Sequence, residues 1–480
     1  PSALPGDFVG EGQPFDYAVR GEGELPLARL CEALLGGTRP PPGVLPSALV
    51  EDLDELPPYR WELLSRYWPR ARKMASKLQL YLSRGCTHHC TFCMERAKDD
   101  DEDPRLEGPG GESSGYRWRA FSAERAVDEL RRLDHHATLS RWLVNVADPL
   151  FGWQRRWRRE VLRGIIDARL RPRHYWTLTR TDDLDDEDVE LLARARFAIG
   201  VGLESGDEAM LQRMQKTADP RRYLAAIENL AERARRYGLT WAANIIVGHP
   251  GETEASLEAT HAFCQRLFCD SGDDTRGWLS VDPFRLYPGS AVHLQRQRWE
   301  ARTGAVFYHP RWWQSPYDGA FRAEHLDPSG ELDYATRVRR LHELYAPLLR
   351  RLSERFVGQG REIDAVFRLS VEEQQSLLST RQRDYLLQRS EEARQAPVPE
   401  AKLPTLAVPL GLQIRDPAAR RRELAVRRLL ELGTLRSPSL VEALLTTDAV
   451  SALGEDGAEL FFAGRPHWPS REGMAPRWLG

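Results

Sequence analysis

The sequence predicts an α/β protein whose central part is a partial (β/α)6 barrel, an incomplete version of the eight-stranded TIM-like barrel. Between about residues 75 and 290, short β-forming runs alternate with amphipathic stretches whose apolar residues lie three and four positions apart. Residues with distinctive chemistry fall at the ends of these β-forming runs. Because barrels of this class hold their active sites at the carboxyl ends of the strands, these residues are expected to share one cavity.

The individual elements follow from the local patterns. Six strands are predicted at Leu78–Ser83, Trp142–Val146, His174–Leu178, Ala198–Leu203, Thr240–Val247 and Leu279–Leu286. Amphipathic helices are predicted at Ala123–Leu133, Glu187–Ala193 and Tyr223–Tyr237, and further along the chain at Tyr334–Phe356 and Val371–Gln388. The charged, glycine-rich run at residues 98–115 is predicted to be a solvated loop.

Composition excludes several classes of protein. The 480 residues are 41% hydrophobic, which suits about three domains with sizeable cores, and the formal net charge is only −3. No apolar run is long enough to span a bilayer, and the first thirty residues lack the order of a targeting peptide. We therefore predict a cytoplasmic location, with no membrane or nucleic-acid partner expected.

Three cysteines provide the strongest chemical signal. Cys86, Cys90 and Cys93 have the spacing C-x-x-x-C-x-x-C directly after the first predicted strand. Thiolates suit the soft irons and sulfides of an iron–sulfur cluster. Three of them satisfy three corners of a four-iron cluster and leave one iron open for a substrate or cofactor.

The cysteine pattern has two alternative interpretations, a zinc site and a disulfide framework. A structural zinc site would combine the trio with His88 or His89, although zinc sites usually pair C-x-x-C with a second, distant pair. A disulfide framework does not fit six cysteines in so long a chain, and a clustered trio requires a reducing compartment. The scattered cysteines are predicted to be buried small apolar residues: Cys31, Cys264 and Cys269.

The segment Arg84–Cys93 resembles the signature of the radical S-adenosylmethionine (SAM) superfamily, in which an aromatic residue such as Phe92 precedes the third cysteine. The resemblance implies a [4Fe–4S] cluster on the three cysteines, with SAM on the open iron. It also implies generation of a 5′-deoxyadenosyl radical and an electron donor such as flavodoxin or ferredoxin. Such chemistry needs no general acid–base pair, so the catalytic residues stay unassigned.

The same resemblance assigns cofactor contacts to residues that follow the later strands. It implies that Glu204 and Ser205 contact the ribose or the methionine end of SAM, and that Gly248 lets the backbone approach the adenine. It offers Arg180 or Lys216 for the methionine carboxylate, and Asp148 for the methionine amine or the substrate. Structural alternatives stay open for all of them: ion pairs, a tight Pro-Gly turn, and surface cations. The usual Gly-Gly-Glu run after the second strand is absent.

The beginning of the sequence carries a second resemblance. Residues Phe15–Glu24 and the helical pattern Leu25–Leu35 are similar to the closing segment of the cobalamin-binding domain that precedes many radical SAM barrels. The cobalt-ligating D-x-H-x-x-G motif of that domain does not occur in this sequence. A strand, a glycine turn and a helix with no cofactor role is the alternative.

These patterns predict four regions. Residues 1–37 are read as the carboxyl-terminal remnant of a cobalamin-binding-like domain, and residues 38–74 as an extended, solvent-exposed proline-rich linker. Residues 75–290 form the radical SAM partial barrel. Residues 291–480 form a largely helical, substrate-related region.

The expected function is a cobalamin-linked methyltransferase that acts on an unactivated carbon of a small molecule or peptide. The alternatives are radical SAM chemistry without methylation, such as cyclisation or oxidation, and a non-catalytic iron–sulfur protein. A methylthiotransferase would normally need a second cluster, and the sequence has no second cysteine trio.

Overall fold

The computed structural model describes residues 4–10, 13, 15–45, 48–63, 77–95, 118–135, 143–170, 174–182, 184–270, 276–314, 319–358, 374 and 376–395. The chain forms a larger unit of Pro1–Gly10, Tyr17–Trp312 and Ala320–Pro397 and a smaller one of Glu11–Asp16, Trp313–Gly319 and Val398–Gly480. Every side-chain contact discussed below lies within the larger unit. The predicted charged loop at 98–115 lies outside the described residues.

A parallel six-stranded sheet forms the centre of the larger unit. Its strands run in the order β10-β9-β8-β7-β6-β3, so each strand after β3 lies beside its predecessor in this sheet. The predicted α/β fold with a partial six-stranded barrel is confirmed. The strands of the chain are β1 (Tyr17–Val19), β2 (Gly43–Leu45), β3 (Lys77–Leu80), β4 (Ser83–Arg84), β5 (Arg119–Ala120), β6 (Leu143–Val146), β7 (His174–Thr179), β8 (Phe197–Glu204), β9 (Thr240–Val247), β10 (Gly277–Pro283), β11 (Val306–Phe307) and β12 (Leu326–Asp327).

Helices connect these strands. The described helices are α1 (Glu24–Leu35), α2 (Ala123–His135), α3 (Arg155–Asp167), α4 (Asp186–Arg194), α5 (Glu208–Arg213), α6 (Pro220–Tyr237), α7 (Glu254–Gln265), α8 (Ala291–Leu294), α9 (Arg296–Thr303), α10 (Gly319–Glu324), α11 (Tyr334–Gly358) and α12 (Thr380–Gln395). A π-helical turn, Arg266–Asp270, extends α7. None of the helices in this described set is long and apolar enough to cross a membrane.

Parallel strands covered on both faces account for the core. The burial of β8 is nearly continuous from Phe197 to Glu204, as expected for a central strand with helices on one side and the barrel interior on the other. The rings of Phe151 and Tyr175 stack on Phe197 at centroid distances of 5.2 and 4.8 Å. Close packing therefore fixes the start of β8 and, through the strand, the position of its carboxyl end.

The proline-rich segment before the barrel differs from its prediction. We expected it to be extended and exposed, but Leu53 and Trp61 are buried in the same core as Leu80 of β3. The carboxylate of Glu129 on α2 accepts a hydrogen bond from the Tyr59 amide at 3.3 Å. The apolar side chains explain the difference, because they can cover the edge of the sheet at β3, whereas the prolines alone predict an exposed chain.

The chain after the barrel forms a second, smaller core. The aromatic ring of His325 stacks between Tyr308 and Phe321 at centroid distances of 4.5 and 4.8 Å. Helix α12 joins this cluster because Ser390 lies 3.2 Å from Nε2 of His325. The helix predicted at Tyr334–Phe356 is observed as α11. Helix α12 contains the last nine residues of the helix predicted at Val371–Gln388 and continues to Gln395, whereas residues 371–373 and 375 lie outside the described residues.

Candidate functional site

The cysteine loop leaves the sheet through a short hairpin. Strand β4 pairs antiparallel with β5, and Gly85 then turns the chain with a φ of +81° before Cys86. A glycine suits this position because a side chain at positive φ is strained. Cys90 is buried, Cys86 and Cys93 are partly buried, and all three are free thiols.

Thr91 attaches the cysteine loop to the rest of the barrel. Its amide donates to the Met214 carbonyl at 2.9 Å, and its carbonyl accepts from the Val292 amide at 3.1 Å. Its hydroxyl lies 3.0 Å from Nε2 of His249, which directly follows β9 and Gly248. These contacts join the loop to chain segments that follow β8, β9 and β10.

His249 is a neutral, buried support for this loop. Burial lowers the pKa of His249 to about 3. Its Nδ1 lies 3.0 Å from the Pro250 carbonyl, so the proton belongs on Nδ1, and Nε2 accepts from the Thr91 hydroxyl. The ring also meets Phe92 edge to face at 6.4 Å. Phe92 thus packs against the small apolar cluster that contains Phe284 and Val292.

Two opposing effects act on the pKa values of the thiols. Burial raises the pKa of Cys86 and Cys90 and raises the pKa of Cys93 to about 12. The cations of Lys216 and Arg180 oppose this rise for Cys86 and Cys90 because they stabilise thiolates. Ligation of a metal centre would therefore release protons from these thiols, and the two cations would favour that release.

A buried ion pair lies at the carboxyl end of β8. Nζ of Lys216 is 2.9 Å from Oε1 of Glu204, and both side chains are less than one-tenth exposed. Burial lowers the pKa of Lys216, but Glu204, Tyr223 and Cys90 together outweigh burial, and the pKa is raised. The site thus keeps a permanent cation close to Cys90.

Backbone geometry makes room for this pair. The pairing of β8 with β9 shifts between Gly202 and Glu204, and Glu204 has a φ of +64°. A Cβ on Gly202 would overlap the Glu204 carboxylate and lie 2.5 Å from Nζ of Lys216. The hydroxyl of Tyr223 donates to the Gly202 carbonyl. The bulge therefore aims the carboxylate at the lysine rather than along the regular strand.

Arg180 also faces this group of residues. Its guanidinium forms two hydrogen bonds with the Asp182 carboxylate, at 3.1 and 2.6 Å, and one with the Lys216 carbonyl at 3.0 Å. It lies 5.0 Å from the centroid of the Tyr223 ring. Arg180 is therefore a held cation beside the cysteine loop, not a free surface residue.

The remaining predicted contacts have defined local partners. The carboxylate of Asp148 accepts from the Leu82 amide at 2.8 Å and from the Ser83 hydroxyl at 2.6 Å. Burial raises the pKa of Asp148 to about 6. The Ser205 hydroxyl lies 2.8 Å from that of Thr260. These two side chains thus support the chain around the site, and neither is left with an unpartnered oxygen.

Gly248 lies at a tight turn, as its sequence context indicated. Its φ is +92°, and its amide donates to the carboxylate of Glu252, which is buried. A side chain at position 248 would meet Arg337 at 3.1 Å. The absence of a side chain thus lets Arg337 pack against the end of β9, and Gly248 itself is buried.

Two residues of this site had no predicted role: Thr91 and His249. Thr91 lies between two cysteines, and His249 lies in the Gly-His-Pro-Gly turn. Only the latter position carries a usable signal, because an ionisable residue in an otherwise apolar strand-end turn is unusual. Their contact joins residues 158 positions apart, which no local pattern reveals.

The residues present fit an iron–sulfur cluster. Among the described residues, no set of three or more His, Cys, Asp or Glu converges as ligands of a single ion. Each thiolate of a cluster binds a different iron, so such convergence is needed by the zinc alternative and not by a cluster. Within the loop, Thr87 Oγ1 and His88 Nε2 are buried without a hydrogen-bond partner in the described structure, as expected beside a binding site.

The scattered cysteines do not all behave as predicted. Cys264 is buried as expected, but Cys31 is exposed on α1 and Cys269 is only partly buried. The prediction for Cys31 is therefore wrong. Its side chain falls on an outward-facing part of α1, where Leu27 and Leu34 are exposed as well.

Comparison with known proteins agrees with this chemistry. A parallel partial barrel with a cysteine trio at the carboxyl end of its first strand defines a class of iron–sulfur barrel proteins. Residues 80–264 match the model of the radical SAM superfamily, so this part of the chain is a radical SAM domain. A domain of this kind implies a [4Fe–4S] cluster and SAM as cofactors.

The chain spans only about half, or less, of the length of the curated relatives described here. The chain is 26% identical over 276 residues to an uncharacterized methyltransferase of Pyrococcus horikoshii, covering 53% of this chain and 54% of that protein. It is 28% identical over 204 residues to a tRNA-2-methylthio-N(6)-dimethylallyladenosine synthase of Mycobacterium bovis, covering 40% and 36%. A solved radical SAM methyltransferase, TsrM from Kitasatospora setae with cobalamin and a [4Fe-4S] cluster bound, has a TM-score of 0.49 at 18% identity, covering 78% of this chain and 76% of that one.

Proposed function

We propose that Cys86, Cys90 and Cys93 ligate three irons of a [4Fe–4S] cluster and leave the fourth iron for SAM. The observation that carries this proposal is the attachment of the cysteine loop, through Thr91, to segments that follow three other strands. The loop is thereby held at the edge of the sheet where barrels of this kind react. When bound, the cluster supplies the electron that cleaves SAM into methionine and a 5′-deoxyadenosyl radical.

The charged residues around the loop suit an amino acid ligand. We assign the methionine carboxylate of SAM to the cations of Lys216 and Arg180. Both lie close enough to Cys90 to lower the pKa of its thiol. Glu204, beside Lys216, is the acceptor for the ribose or the ammonium group, and Gly248, which has no side chain at the end of β9, is assigned to the adenine. Phe92 shields this side of the loop from water through its apolar contacts.

We assign Asp148 and Ser205 supporting roles. Both Asp148 oxygens already accept hydrogen bonds from the segment that leads into the cysteine loop. Ser205 contacts Thr260 and accepts from the Asp207 amide at 3.1 Å, at the start of α5. They therefore orient the elements that carry Cys86 and Glu204. Neither residue is assigned a direct contact with SAM.

We further propose that the reaction is a cobalamin-linked methyl transfer to an unactivated carbon of a small molecule or peptide. Two observations support it: the relative from Pyrococcus horikoshii is named a methyltransferase, and residues 15–35 resemble the closing segment of a cobalamin-binding domain. An external electron donor such as flavodoxin or ferredoxin would complete the reaction. Radical chemistry without methylation is the competing outcome.

Methylthiolation has support from one comparison, the tRNA-modifying relative. A second cluster would be needed, but the three other cysteines do not form a trio: Cys31 lies on α1, while Cys264 and Cys269 lie at the end of α7. Methyl transfer stays the first proposal because the relative from Pyrococcus horikoshii is named a methyltransferase.

The test uses the full chain, purified anaerobically and supplied with iron and sulfide. We expect about four irons per chain, iron–sulfur absorption, and reductant-dependent conversion of SAM to 5′-deoxyadenosine. The triple variant C86A/C90A/C93A is the control and should lose all three. Uptake of zinc, or a colourless protein, would overturn the proposal.

A second measurement separates the possible reactions. With cobalamin and reductant present, methyl transfer predicts S-adenosylhomocysteine in addition to 5′-deoxyadenosine. Formation of 5′-deoxyadenosine alone, unchanged by cobalamin, would instead indicate a radical reaction without methylation. Iron–sulfur absorption with neither product would leave the non-catalytic alternative.

A further inference from the structure

An acidic side chain near the start of the chain contacts the hairpin that leads into the cysteine loop. Oε1 of Glu22 lies 2.6 Å from Nη2 of Arg119, and Oε2 lies 3.2 Å from Nη1 of Arg84. Oε2 also accepts from the Val50 amide at 3.0 Å. Glu22, Arg84 and Arg119 are each no more than one-quarter exposed in their side chains. We call Glu22, Arg84, Arg119 and Val50 the Glu22 clamp.

The two arginines of the clamp would repel each other without this carboxylate. In the antiparallel pairing of β4 with β5, Arg84 lies directly opposite Arg119. Like charges at directly opposed positions destabilise a strand pair. Because both Glu22 oxygens contact Arg119 and one of them also contacts Arg84, the carboxylate converts a repulsive pair into a bridged one. The clamp therefore stabilises β4 at its last residue.

That last residue determines where the cysteine loop begins. Arg84 is separated from Cys86 only by Gly85, whose positive φ makes a sharp turn. Upstream of Arg84, Asp148 already holds Leu82 and Ser83. Glu24 adds a contact with Nη2 of Arg84 at 2.5 Å. The His88 amide hydrogen-bonds to the Cys86 sulfur from within the loop itself. The attachment of the loop to the hairpin at Cys86 therefore depends on what fixes Arg84.

We infer that Glu22 is a positioning residue for Cys86, and that the segment Gly21–Glu24 forms part of the cysteine loop's support. This role rests on the proposed ligation of a cluster by Cys86. It gives the Gly-Glu-Gly-Glu segment a function in this chain whether or not cobalamin binds. Displacement of the segment would expose Cys86 and loosen the first ligand of the trio, leaving Cys90 and Cys93 held by Thr91 and Phe92.

The test measures the accessibility of Cys86 in the full chain before any cluster is introduced. Reduced, metal-free protein is treated with iodoacetamide, and alkylation of each cysteine is followed by mass spectrometry, with exposed Cys31 as the internal reference. In Glu22→Gln we expect alkylation of Cys86 to be about fivefold faster relative to Cys31, because local opening of the hairpin becomes less costly. Cys90 should keep its wild-type rate.

Glu129→Gln is a matched control. Glu129 also joins a backbone amide of the preceding segment, that of Tyr59, to an arginine, Arg125. Its loss should lower stability without changing the relative alkylation of Cys86. Glu24→Gln is a milder second variant, at an exposed position, and should give a smaller acceleration in the same direction.

Two results would overturn the inference: an unchanged relative rate at Cys86 in Glu22→Gln, or an equal acceleration in Glu129→Gln. After reconstitution, Glu22→Gln should also lose iron to a chelator faster than the wild type. If the wild type itself bound no cluster, the proposed function would fail while the alkylation comparison would still test the clamp. The two failures are thus distinguishable.

Discussion

Thr91 and His249 form a buried hydrogen bond that links the cysteine loop to the end of β9. A buried imidazole nitrogen that loses its only donor pays its full desolvation cost, whereas replacing both partners by apolar groups costs less. The pair therefore has a coupling energy that can be measured in the metal-free protein.

We expect Thr91→Val to lower the free energy of unfolding by about 1–2 kcal/mol, because it leaves Nε2 of His249 without a donor. In a His249→Leu background the same change should cost about 1 kcal/mol less. Urea unfolding of the four proteins measures this coupling. Thr179→Val removes a buried hydroxyl bonded to the Phe151 carbonyl and is the control, expected to be additive with His249→Leu. Additivity of Thr91→Val would contradict the proposed bond.

Glu252 gives a pH dependence that can be assigned to one residue. Burial raises the pKa of Glu252 to about 8, although the Gly248 amide and the nearby Arg337 oppose this rise. A carboxyl whose pKa is higher in the folded than in the unfolded state favours folding fully below the unfolded pKa. That contribution is lost as the pH rises through the folded pKa.

We therefore expect Glu252→Gln to be more stable than the wild type at pH 8, by about 2 kcal/mol or more, and nearly equal to it at pH 4. The amide oxygen of glutamine can still accept from Gly248, so the turn is preserved. Urea midpoints between pH 4 and 8 make the measurement. Glu258→Gln removes an exposed carboxylate as a control and should run parallel to the wild type. Parallel profiles for both variants would refute the assignment.

At the scale of elements, the irregular end of β8 depends on the absence of a side chain at Gly202. The bulge places the Glu204 carboxylate and the Lys216 ammonium beside that glycine. Removing or displacing one partner of a buried ion pair is far more costly than losing an exposed pair, because the other charge stays buried.

Gly202→Ala is expected to lower the free energy of unfolding by about 3 kcal/mol, since the new methyl group must displace the pair. Chemical denaturation measures the loss. Gly330→Ala is a matched control, because a Cβ at that position has no neighbour within 4 Å. A loss below about 1 kcal/mol would show that the pair can shift without cost.

The strands were predictable where one signal dominated. Strand β9 has the predicted bounds, Thr240–Val247, because a continuous apolar run is bounded by glycine and proline turns. Helix α3 was missed, since its many arginines obscure the buried Val161 and Leu162; those arginines bond to carboxylates on or beside α4, such as Arg158 to Asp188. Tertiary ion pairs of this kind have no signature in a local window.

The site was predictable to a similar degree. The spacing of the cysteines located the loop, because ligand spacing is a local property. The role of Asp148 could not be read in the same way: an aspartate before a proline at a strand end has the same sequence whether it faces a ligand or the Leu82 amide. The Glu22 clamp joins segments that are tens of residues apart, so only the fold reveals it.

At the scale of the whole molecule, neutral histidines that are buried or partly buried make the stability of the fold depend on pH. Burial lowers the pKa of His88, His249 and His325 to about 3 and that of His309 to about 4. For a histidine whose pKa is lower in the folded state, the stabilising contribution is complete above the unfolded pKa of about 6.5 and declines as the pH falls below it.

The four histidines therefore lower the stability of the metal-free chain as the pH falls from 6.5 to 4, whereas Glu252 and Asp148, whose pKa values are raised, act in the opposite direction. His309 and His325 contact each other at 3.2 Å, in the smaller core that receives α12. The double variant His309→Asn/His325→Asn, though less stable at pH 7, should show a shallower decline than the wild type. Urea midpoints at half-unit pH intervals measure both slopes, and the interval from pH 7 to 7.5, where these imidazoles are largely neutral in both states, serves as the reference. An undiminished decline in the double variant would place the acid sensitivity elsewhere in the chain.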